Sequence, residues 1–458
     1  MATTAALILA AGRGTRMRSA QPKVLHRLGG RPMLDHVLQT AGVVTDRTLV
    51  VVAPDASDVQ RLATERGAVP VTQHEQRGTG DAVRCALDAV EAVDRLVVLC
   101  GDTPLLTPET LQRLLDQVPA GEVGLVTAQV ARPDGLGRIL RDEAGQVLAI
   151  IEERDASPAQ RAIKEINAGI YVFPRARLPS WLHALSPDNA QGELYLTDVI
   201  GLAVREGLAI HAVTATDETE ILGVNDRQQL ALLERAFQRR QARELMAAGV
   251  TLLDPHRFDL RGELRAGLDC VIDVGCVFEG DVALGDGVEI GAHCVIRDAR
   301  IGDQVRIAPF THIEGAEIGT GAQVGPFARL REGTRLGAQS RIGNFVETKQ
   351  TRLGARSKAN HLAYLGNASL GDDCNVGAGT ITCNYDGVAK HPTEIGDGVF
   401  IGSNSTLVAP LKLGPGAYVA AGSTVTTNVP GQALAVGRSR QRNIDHWTPP
   451  AKRASSED

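Results

Sequence analysis

The chain contains few aromatic residues, which make up only 3% of its 458 positions. A core of ordinary composition uses aromatic rings for much of its volume, so the interior of this protein must be filled mainly by Ile, Val and Leu. Glycine is plentiful by contrast, with 49 residues. Few rings and many glycines are what a solenoid with a narrow aliphatic interior requires.

Long apolar runs and a strong net charge are also missing. The apolar run at the amino terminus, of about ten residues, is too short to span a membrane and has no positively charged leading region. The formal net charge of −6 gives no general reason to expect a nucleic acid or an anionic membrane as partner. We therefore expect a cytoplasmic protein that binds small molecules, with no nucleic acid and no membrane as partner.

Cysteine is sparse as well, and its seven residues are scattered without CxxC spacing. Neither a zinc site nor a disulfide framework is therefore predicted. Cys276 and Cys294 lie eighteen residues apart, which is three repeats of six. If three hexapeptides make one coil of a solenoid, the two residues stack about 4.8 Å apart, and we expect them to be reduced thiols in its interior.

The repeat itself is the strongest pattern in the chain. From about residue 284 to residue 425 an aliphatic residue recurs at every sixth position, usually followed by glycine. A period of six fits neither an amphipathic helix nor a single strand; it predicts short strands that turn a corner at each repeat. The second half is therefore predicted to be a left-handed parallel β-helix of hexapeptide repeats. The stretches in strict step are Ile318, Val324, Leu330, Leu336 and Ile342, and then Ile395, Ile401, Leu407, Leu413, Val419 and Val425.

The first half has a different pattern, in which strand-like and helix-like segments alternate. Such alternation predicts a mostly parallel, doubly wound α/β sheet of Rossmann-like type, covered by helices on both faces. Ligands of such sheets bind beyond the carboxyl ends of the strands. The predicted strands are 5–10, 48–53, 95–100, 123–130 and 168–172, and the predicted helices are 31–41, 79–89 and 108–117.

Because 458 residues exceed what one core usually organises, two domains are expected. We predict a first domain over residues 1–226 and a second, with a carboxyl-terminal tail, over residues 250–458. Residues 227–249 between them are rich in Gln, Arg, Leu, Ala and Glu, with apolar residues three and four apart, and end at Gly249. That pattern predicts a long linker helix.

The first predicted strand leads into a glycine turn with basic residues around it. Gly12 and Gly14 flank Arg13, and Arg16 and Lys23 follow. Glycines allow backbone N–H groups to approach a phosphate group closely. The turn lacks the Gly-Lys-Ser/Thr of a Walker loop and the third glycine of the dinucleotide fingerprint. It therefore indicates phosphate binding without identifying the nucleotide.

Further polar residues follow other predicted strands. Asp102 ends a buried strand, at a place suited to a magnesium ligand, and Asn167 and Asn225 stand at further strand ends. The segment Gln73–Gly80 supplies a second small-residue turn ahead of a helix. Together these pieces predict a nucleotide site with a divalent cation.

With these motifs in collinear order, residues 3–226 resemble sugar-nucleotide pyrophosphorylases. The whole chain to about residue 440 is similar to the bacterial bifunctional N-acetylglucosamine-1-phosphate uridyltransferase/glucosamine-1-phosphate acetyltransferase family. The resemblance implies acetyl transfer from acetyl-CoA to glucosamine 1-phosphate by the second domain. It further implies uridylyl transfer from UTP to N-acetylglucosamine 1-phosphate by the first domain, with Mg²⁺ as cofactor and a product that feeds peptidoglycan synthesis.

The resemblance also assigns roles in the first domain. Arg16 and Lys23 are expected to neutralise charge during the transfer, and Asp102 and Asn225 to bind magnesium. Cys100 departs from the family, which more often has an aromatic residue before the Gly-Asp pair, so we expect altered packing there. The residues expected to contact the nucleotide and the sugar are Leu9, Ala10, Ala11, Gly12, Lys23, Gln73, Gly78, Thr79, Gly137, Glu152, Asn167 and Asn225.

In the second domain, polar and aromatic clusters interrupt the repeat between residues 353 and 395. Residues 384–394 leave the six-residue step altogether, which predicts a loop that projects from the solenoid, a common place for a site. His361 lies in the first cluster. With a reference pKa of about 6.5, an imidazole can accept a proton at neutral pH.

The family resemblance makes these clusters the acetyltransferase centre, with His361 as proton acceptor for the sugar amine. A backbone N–H near Ala378 would then serve as the oxyanion donor. The residues expected around the sugar phosphate are Arg331, Lys349, Tyr364, Asn375, Asn384 and Tyr385, and those expected to meet acetyl-CoA are Ala378, Ser403, Ala421 and Arg438.

The resemblance further implies a homotrimer whose acetyl-transfer sites are built where subunits meet. Two other interpretations stay open at this point. One is a single-activity sugar-1-phosphate nucleotidyltransferase whose β-helix is structural or regulatory, which would not need the cluster around His361. The other is a non-catalytic sugar-nucleotide sensor, which would not need Asp102 and Asn225 together at strand ends.

Overall fold

A computed structural model of the chain describes residues 3–90 and 93–449. It divides into two compact units between Gln241 and Ala242. The boundary lies inside the helix Arg227–Ala247, which occupies the place of the predicted linker helix. Among the described residues, no helix combines the length and the apolar character that a membrane span would need.

The first unit is built on a mixed sheet whose central strands are buried runs of Ala, Val, Leu and Ile. The strands of this unit are β1 Thr4–Leu9, β2 Arg27–Leu28, β3 Arg31–Pro32, β4 Arg47–Val52, β5 Val69–Thr72, β6 Arg95–Cys100, β7 Val123–Gln129, β8 Arg138–Arg141, β9 Val147–Ile151, β10 Glu165–Pro174 and β11 Ile210–Thr214. The main path of the sheet has the order β11-β7-β10-β6-β1-β4-β5, and β8 and β9 form a hairpin that joins β10. Strands β2 and β3 pair with each other apart from this sheet.

Helices cover both faces of this sheet, as the alternation predicts. The helices, up to the one that contains the boundary, are α1 Met33–Val44, α2 Ser57–Glu65, α3 Thr79–Ala86, α4 Pro108–Gln117, α5 Pro158–Arg161, α6 Leu178–His183, α7 Asp198–Arg205 and α8 Arg227–Ala247. One buried cluster packs under α1, α2 and α4, and another under α3, α6 and α7.

The predicted α/β sheet is confirmed, with one reversal. Strands β1, β4, β5 and β6 pair in parallel, and so do β7 and β11. Strand β10, which covers and extends the predicted segment 168–172, runs antiparallel between β6 and β7. The parallel strands therefore still present their carboxyl ends at one edge of the sheet, and a ligand is expected there.

The second unit is a stack of short parallel strands arranged in two long sheets of 11 and 17 strands. Equivalent residues of adjacent coils are 17 or 18 positions apart, as in the pairs Leu336–Leu353 and Ile401–Val419. The aliphatic residues of the six-residue repeat point inward and are almost wholly buried. This arrangement is the predicted hexapeptide β-helix.

The strands of the 11-stranded sheet are Thr251–Leu252, Val271–Ile272, Glu289–Ile290, Arg306–Ile307, Gln323–Val324, Arg341–Asn344, Lys358–His361, Asn375–Val376, Phe400–Ile401, Tyr418–Val419 and Leu434–Ala435. Those of the 17-stranded sheet are Asp259–Ala266, Val277–Leu284, Val295–Arg297, Arg300–Ile301, His312–Glu314, Ala316–Ile318, Arg329–Leu330, Thr334–Leu336, Glu347–Lys349, Arg352–Leu353, Tyr364–Gly366, Ala368–Leu370, Ile381–Cys383, Thr393–Ile395, Thr406–Val408, Leu411–Leu413 and Thr424–Val425.

One coil is longer than its neighbours. Ala368 pairs with Thr393, 25 positions later, because residues 384–392 leave the stack between two strands. This is the loop that the break in the repeat predicts. Elsewhere in the interior, Cys276 and Cys294 are buried free thiols on adjacent coils, as their spacing predicts.

One edge of the prism carries a row of exposed aromatic rings, which we call the Phe ladder: Phe310, Phe327 and Phe345. The ring centroids of Phe310 and Phe327 are 5.1 Å apart, and those of Phe327 and Phe345 are 5.4 Å apart. About half of each side chain is exposed. The ladder is therefore an apolar stripe on the surface of this unit.

Candidate functional site

A cavity of about 370 Å³ opens at the carboxyl ends of β1 and β6 in the first unit. Many of the residues predicted for the nucleotide line it, namely Leu9, Ala10, Ala11, Gly12, Lys23, Gln73, Gly78, Thr79 and Asp102. The structure thus brings together segments that are far apart in the sequence. The cavity is also lined by Arg13, Gln76, Cys100 and Glu193, to which the sequence analysis gave no role in binding.

The floor of the cavity is formed by backbone that leaves the sheet. The N–H of Gly101 donates to the Leu9 carbonyl at 2.9 Å, which ties the ends of β1 and β6 together. Gly14 has a φ of 59°, and a Cβ there would lie 2.5 Å from Cβ of Lys23. Only glycine fits this turn, and the close approach positions Lys23 at the cavity.

Lys23 and Asp102 line this cavity, and Asn225 lies next to the Lys23 ammonium. The Lys23 ammonium forms an ion pair with Asp102, and its Nζ lies 3.3 Å from Oδ1 of Asn225. The Val224 N–H donates to the Asp102 carbonyl at 3.0 Å, which holds the segment of Asn225 against the end of β6. The Asp102 carboxylate and the Asn225 amide oxygen therefore both face the Lys23 ammonium.

The second small-residue turn also borders the cavity. Nε2 of Gln73 donates to Asp81 at 2.9 Å, and the Thr79 hydroxyl accepts from the Leu196 N–H at 3.1 Å. Gly78 has a φ of 115°, and a Cβ there would lie 2.6 Å from the Leu194 carbonyl oxygen. The turn is therefore fixed both by side-chain bonds and by close packing on the segment around Leu194.

Gly137, Glu152 and Asn167 form a second group near the β8–β9 hairpin. The Asn167 N–H donates to the Gly137 carbonyl at 2.9 Å. A Cβ on Gly137 would lie 3.5 Å from Oε1 of Glu152 and 3.6 Å from Cβ of Asn167. Burial raises the pKa of the Glu152 carboxyl, with Asp198 and Asp155 as further causes, while Thr197 donates to Oε1 at 3.3 Å.

Arg16 and Cys100 contrast in position. Arg16 is exposed in the short 3₁₀ turn Thr15–Met17, and it is not among the residues that line the cavity. Cys100 does line it, and its thiol donates to the Gly169 carbonyl at 3.6 Å. Burial, with Asp102 as the next cause, raises the pKa of this thiol to about 12. The small Cys100 side chain therefore stays a neutral thiol near the Lys23 ammonium.

On the β-helix, His361 is exposed at the end of the strand Lys358–His361. Its Nδ1 lies 2.8 Å from Oδ1 of Asn344, the residue in register one coil earlier. Because an amide oxygen can only accept, the neutral tautomer that fits this contact carries its hydrogen on Nδ1 and its lone pair on Nε2. The imidazole is thus oriented with its basic nitrogen turned away from Asn344.

Three cationic side chains lie close to one another on the β-helix unit. Arg331 lies one coil before Lys349, and its guanidinium donates to Glu347 at 2.9 Å. The positive charges of Arg331, first, and Lys390 lower the pKa of the Lys349 ammonium. Lys390 lies in the projecting loop, in a β-bridge with Tyr385, and it is a third cation that the sequence analysis did not select. Such a cluster of like charges favours binding of an anion.

The predicted sugar-site residues border this cluster. A Cβ on Gly366 would lie 2.5 Å from the Tyr364 hydroxyl and 2.8 Å from Nδ2 of Asn384, so these two side chains close over the glycine. Asn384 is buried, and its Nδ2 donates to Asn367 at 2.7 Å. Tyr385 is exposed and its hydroxyl donates to the Gly387 carbonyl at 2.6 Å.

The residues predicted for acetyl-CoA lie along one corner of successive coils. The Ala378 carbonyl accepts from the Asn404 N–H at 2.7 Å, and the Ser403 carbonyl accepts from the Gly422 N–H at 2.8 Å. The guanidinium of Arg438 donates to the Ala421 carbonyl at 2.6 Å. Ala378, Ser403, Ala421 and Arg438 therefore lie on successive coils. Asn375 begins the strand Asn375–Val376, which pairs with the strand of His361.

Comparisons with known proteins bear on both units. Residues 6–195 match the family model "MobA-like NTP transferase domain", and residues 392–427 match "Bacterial transferase hexapeptide (six repeats)". Proteins described as "Bifunctional protein GlmU" are similar over nearly the whole chain. The protein of Neisseria meningitidis serogroup C is 55% identical over 97% of this chain and 98% of its own length.

Two further relatives with that description are each 53% identical. The protein of Alkalilimnicola ehrlichii aligns over 98% of this chain and 96% of its own length, and that of Stutzerimonas stutzeri over 98% and 99%. A solved structure of the inositol-1-phosphate CTP transferase from T. maritima aligns with a TM-score of 0.41 and 17% identity, over 51% of this chain and 97% of that one.

Proposed function

Because the chain belongs to the family of bifunctional GlmU proteins, we infer that it carries two transferase activities of UDP-N-acetylglucosamine synthesis. The β-helix unit acetylates glucosamine 1-phosphate with acetyl-CoA. The α/β unit then joins N-acetylglucosamine 1-phosphate to UTP and releases pyrophosphate. The product is a precursor of the kind that peptidoglycan synthesis consumes.

The convergence of Asp102 and Asn225 on the Lys23 ammonium, at the edge of the cavity, supports the uridylyl transfer most directly. A carboxylate and an amide oxygen are hard ligands of the type that Mg²⁺ takes, usually with waters and substrate phosphates in its other positions. They already surround a cationic group in this structure. Asp102 and Asn225 would therefore hold Mg²⁺, which when bound supplies charge neutralisation to the phosphates.

In this reaction an oxygen of the sugar phosphate attacks the α-phosphorus of UTP, the new P–O bond forms, and the bond to the leaving pyrophosphate breaks. Such a transfer depends on positioning and on charge neutralisation. The Lys23 ammonium neutralises negative charge at the cavity, and exposed Arg16 reaches the triphosphate from the adjacent turn. Gln73, Gly78 and Thr79 hold the uracil end, and Gly137, Glu152 and Asn167 hold the sugar.

For acetyl transfer, the stacked cations Arg331, Lys349 and Lys390 bind the phosphate of glucosamine 1-phosphate. Nε2 of His361 takes a proton from the sugar amine while the amine nitrogen attacks the thioester carbon of acetyl-CoA. A C–N bond forms, the C–S bond breaks, and coenzyme A leaves as the thiol after it regains a proton. Asn344 keeps His361 in the tautomer with a basic Nε2.

We further propose that the chain assembles as a homotrimer through the edge that carries the Phe ladder. The ladder leads to His361, because Phe345 follows Asn344 and stands one coil below exposed Leu362. A second copy that covers this apolar stripe would also enclose His361. Replacement of the three ladder residues by Ser should reduce the sedimentation coefficient and the acetyl transfer, whereas Leu268→Ser, at another exposed position, should change neither.

The proposed function is tested by incubation of the full chain with glucosamine 1-phosphate, acetyl-CoA, UTP and magnesium. UDP-N-acetylglucosamine and pyrophosphate should form, and omission of acetyl-CoA should stop the synthesis. With N-acetylglucosamine 1-phosphate in place of glucosamine 1-phosphate, acetyl-CoA should no longer be needed. Formation of product from UTP with no acetyl transfer would leave a single-activity nucleotidyltransferase.

A further inference from the structure

Strand β10 contains an irregularity beside the first cavity. Its register with β7 shifts between Asn167 and Tyr171, and Gly169 between them has a φ of 72°. A side chain there would be strained, and its Cβ would lie 3.1 Å from the Cys100 sulfur. The bulge therefore depends on glycine and on the small thiol of Cys100, and it brings the side chains of Asn167 and Tyr171 together.

The Asn167 amide is held at both of its atoms. Oδ1 accepts from the Gly169 N–H at 3.1 Å, and Nδ2 donates to the Tyr171 hydroxyl oxygen at 2.6 Å. Because a backbone N–H can only donate, the amide atom that faces Gly169 must be the oxygen. The nitrogen therefore faces Tyr171. It has two hydrogens, of which Tyr171 takes one, so that one N–H is left for a ligand.

Tyr171 is suited to hold another group in place. Its side chain is only 3% exposed, and its ring stacks on Phe173 with a centroid distance of 5.4 Å. Burial raises the pKa of its phenol, so the group stays neutral. A buried, neutral and tightly packed hydroxyl has one fixed position, and it transmits that position to the half-buried Asn167.

We propose that Tyr171 is a positioning residue of the uridylyl-transfer site, whose phenolic oxygen fixes the Asn167 amide so that its second N–H is presented to the sugar of the substrate. The inference rests on the proposed function, in which Asn167 lies against the sugar. Tyr171 itself needs no contact with the substrate. Its effect should therefore appear in sugar binding and not in the binding of UTP.

The test is Tyr171→Phe in the full chain, with initial rates measured against N-acetylglucosamine 1-phosphate and against UTP. An amide that loses its fixed orientation binds the sugar more weakly before and during the reaction alike, so KM should rise while kcat is kept. From the usual value of one hydrogen bond, the KM for the sugar phosphate should rise about 3- to 10-fold. The KM for UTP should stay unchanged.

A double-mutant cycle separates positioning from a structural role. Asn167→Ala should raise the same KM by about tenfold or more, and Tyr171→Phe should add nothing in that background. Thr40→Val is the matched control, because it also removes a buried hydroxyl with one hydrogen bond, from Thr40 to the Leu106 carbonyl. It should lower the melting temperature without a change in either KM.

An unchanged KM for the sugar phosphate in Tyr171→Phe, or an equal rise in the Asn167→Ala background, would overturn the inference. If the Phe variant does not fold, Tyr171→Met removes the same oxygen with a flexible apolar side chain in its place. A wild-type chain without uridylyl transfer would refute the proposed function instead. The two failures are therefore distinguishable in one set of assays.

Discussion

The two units bring their predicted site residues together in different ways. In the α/β unit, Lys23, Asp102 and Asn225 come from distant parts of the sequence and meet at the edge of one sheet, where Lys23 and Asp102 line the cavity. On the β-helix, His361 and Asn344 are neighbours because they occupy equivalent positions on adjacent coils. The His361 side chain is exposed. The segments that follow the strands of a sheet bring together residues that are far apart in the sequence. A solenoid instead places its site residues at equivalent positions of adjacent coils, on its surface.

This difference has a chemical consequence. The α/β site needs only its own chain to surround a ligand, since its cavity is bounded by strand ends, the glycine turn and the segment of Leu194. On the β-helix, His361 is exposed, so a ligand there would be enclosed by a second surface, as in the proposed trimer. The two reactions should therefore respond separately to mutations in the two units.

The largest difference between the effects on the two activities is expected from His361→Ala. Loss of the proposed general base should lower the turnover of acetyl transfer by about 10²- to 10⁴-fold, while uridylyl transfer from N-acetylglucosamine 1-phosphate is kept. Both rates are measured separately on the full chain. His312→Ala, at an exposed histidine of the same solenoid, serves as the matched control and should affect neither rate. A loss of both activities in His361→Ala would make that residue structural.

Asp102→Ala should have the opposite effect and lower uridylyl transfer while acetyl transfer is kept. Removal of the carboxylate that pairs with Lys23 leaves a cation without its partner and takes away the proposed metal ligand. Uridylyl turnover should fall by about 10²- to 10³-fold, and more magnesium should be needed to saturate what remains. Acetyl transfer should be unchanged. Asp116→Ala, at an exposed carboxylate on α4, is the control, and an equal loss there would contradict a specific role for Asp102.

Core mutations should separate the stabilities of the two units. Leu7 in β1 and Ile342 in the solenoid are both almost fully buried. Truncation of either to Ala should cost about 2–5 kcal/mol through lost contacts and a residual cavity. Scanning calorimetry of the full chain should show Leu7→Ala lowering the transition of the α/β unit and Ile342→Ala lowering that of the β-helix. A common shift of both transitions would mean that the units unfold together.

The same contrast explains which parts of the fold could be predicted. The strand Arg95–Cys100 and the helix Pro108–Gln117 have the predicted bounds, because an unbroken apolar run marks the one and a Thr107 cap with Pro108 marks the other. The strands Val69–Thr72 and Arg138–Arg141 were missed. The first contains a proline and the second begins and ends with arginine, so neither has a clear two-residue period.

In the solenoid, the repeat predicts the inward residues but not the length of every coil. Many coils have 17 residues instead of 18, as between Ile342 and Ala359, because one corner is a residue shorter. Once that step is known, Asn344 can be found as the partner of His361. Lys390 could not be found in this way, since it lies in the projecting loop, whose path over the surface follows from contacts and not from the repeat.

The smallest expected effect concerns two carboxylates with opposite pKa shifts. Glu152 has a pKa raised above its ordinary value of 4.5, mainly by burial. Its ionisation therefore costs stability as pH rises through the folded pKa. Asp386, in the loop of the β-helix, accepts from the N–H groups of Ala389 and Val388 and from His391, which lower its pKa below 3.8. The stability that ionised Asp386 contributes is therefore present above pH 3.8 and is lost as the pH falls through the folded pKa.

Neutral replacements should therefore act in opposite directions. Glu152→Gln should raise the melting temperature of the α/β unit at pH 8 relative to wild type, and this gain should vanish near pH 4, where the wild-type carboxyl is protonated. Asp386→Asn should lower the stability of the β-helix loop at pH 7, measured by its rate of proteolysis, and the difference should shrink as pH falls below 3.8. A stability gain from Glu152→Gln that is equal at pH 4 and pH 8 would show that packing, and not the buried charge, sets the cost at that position.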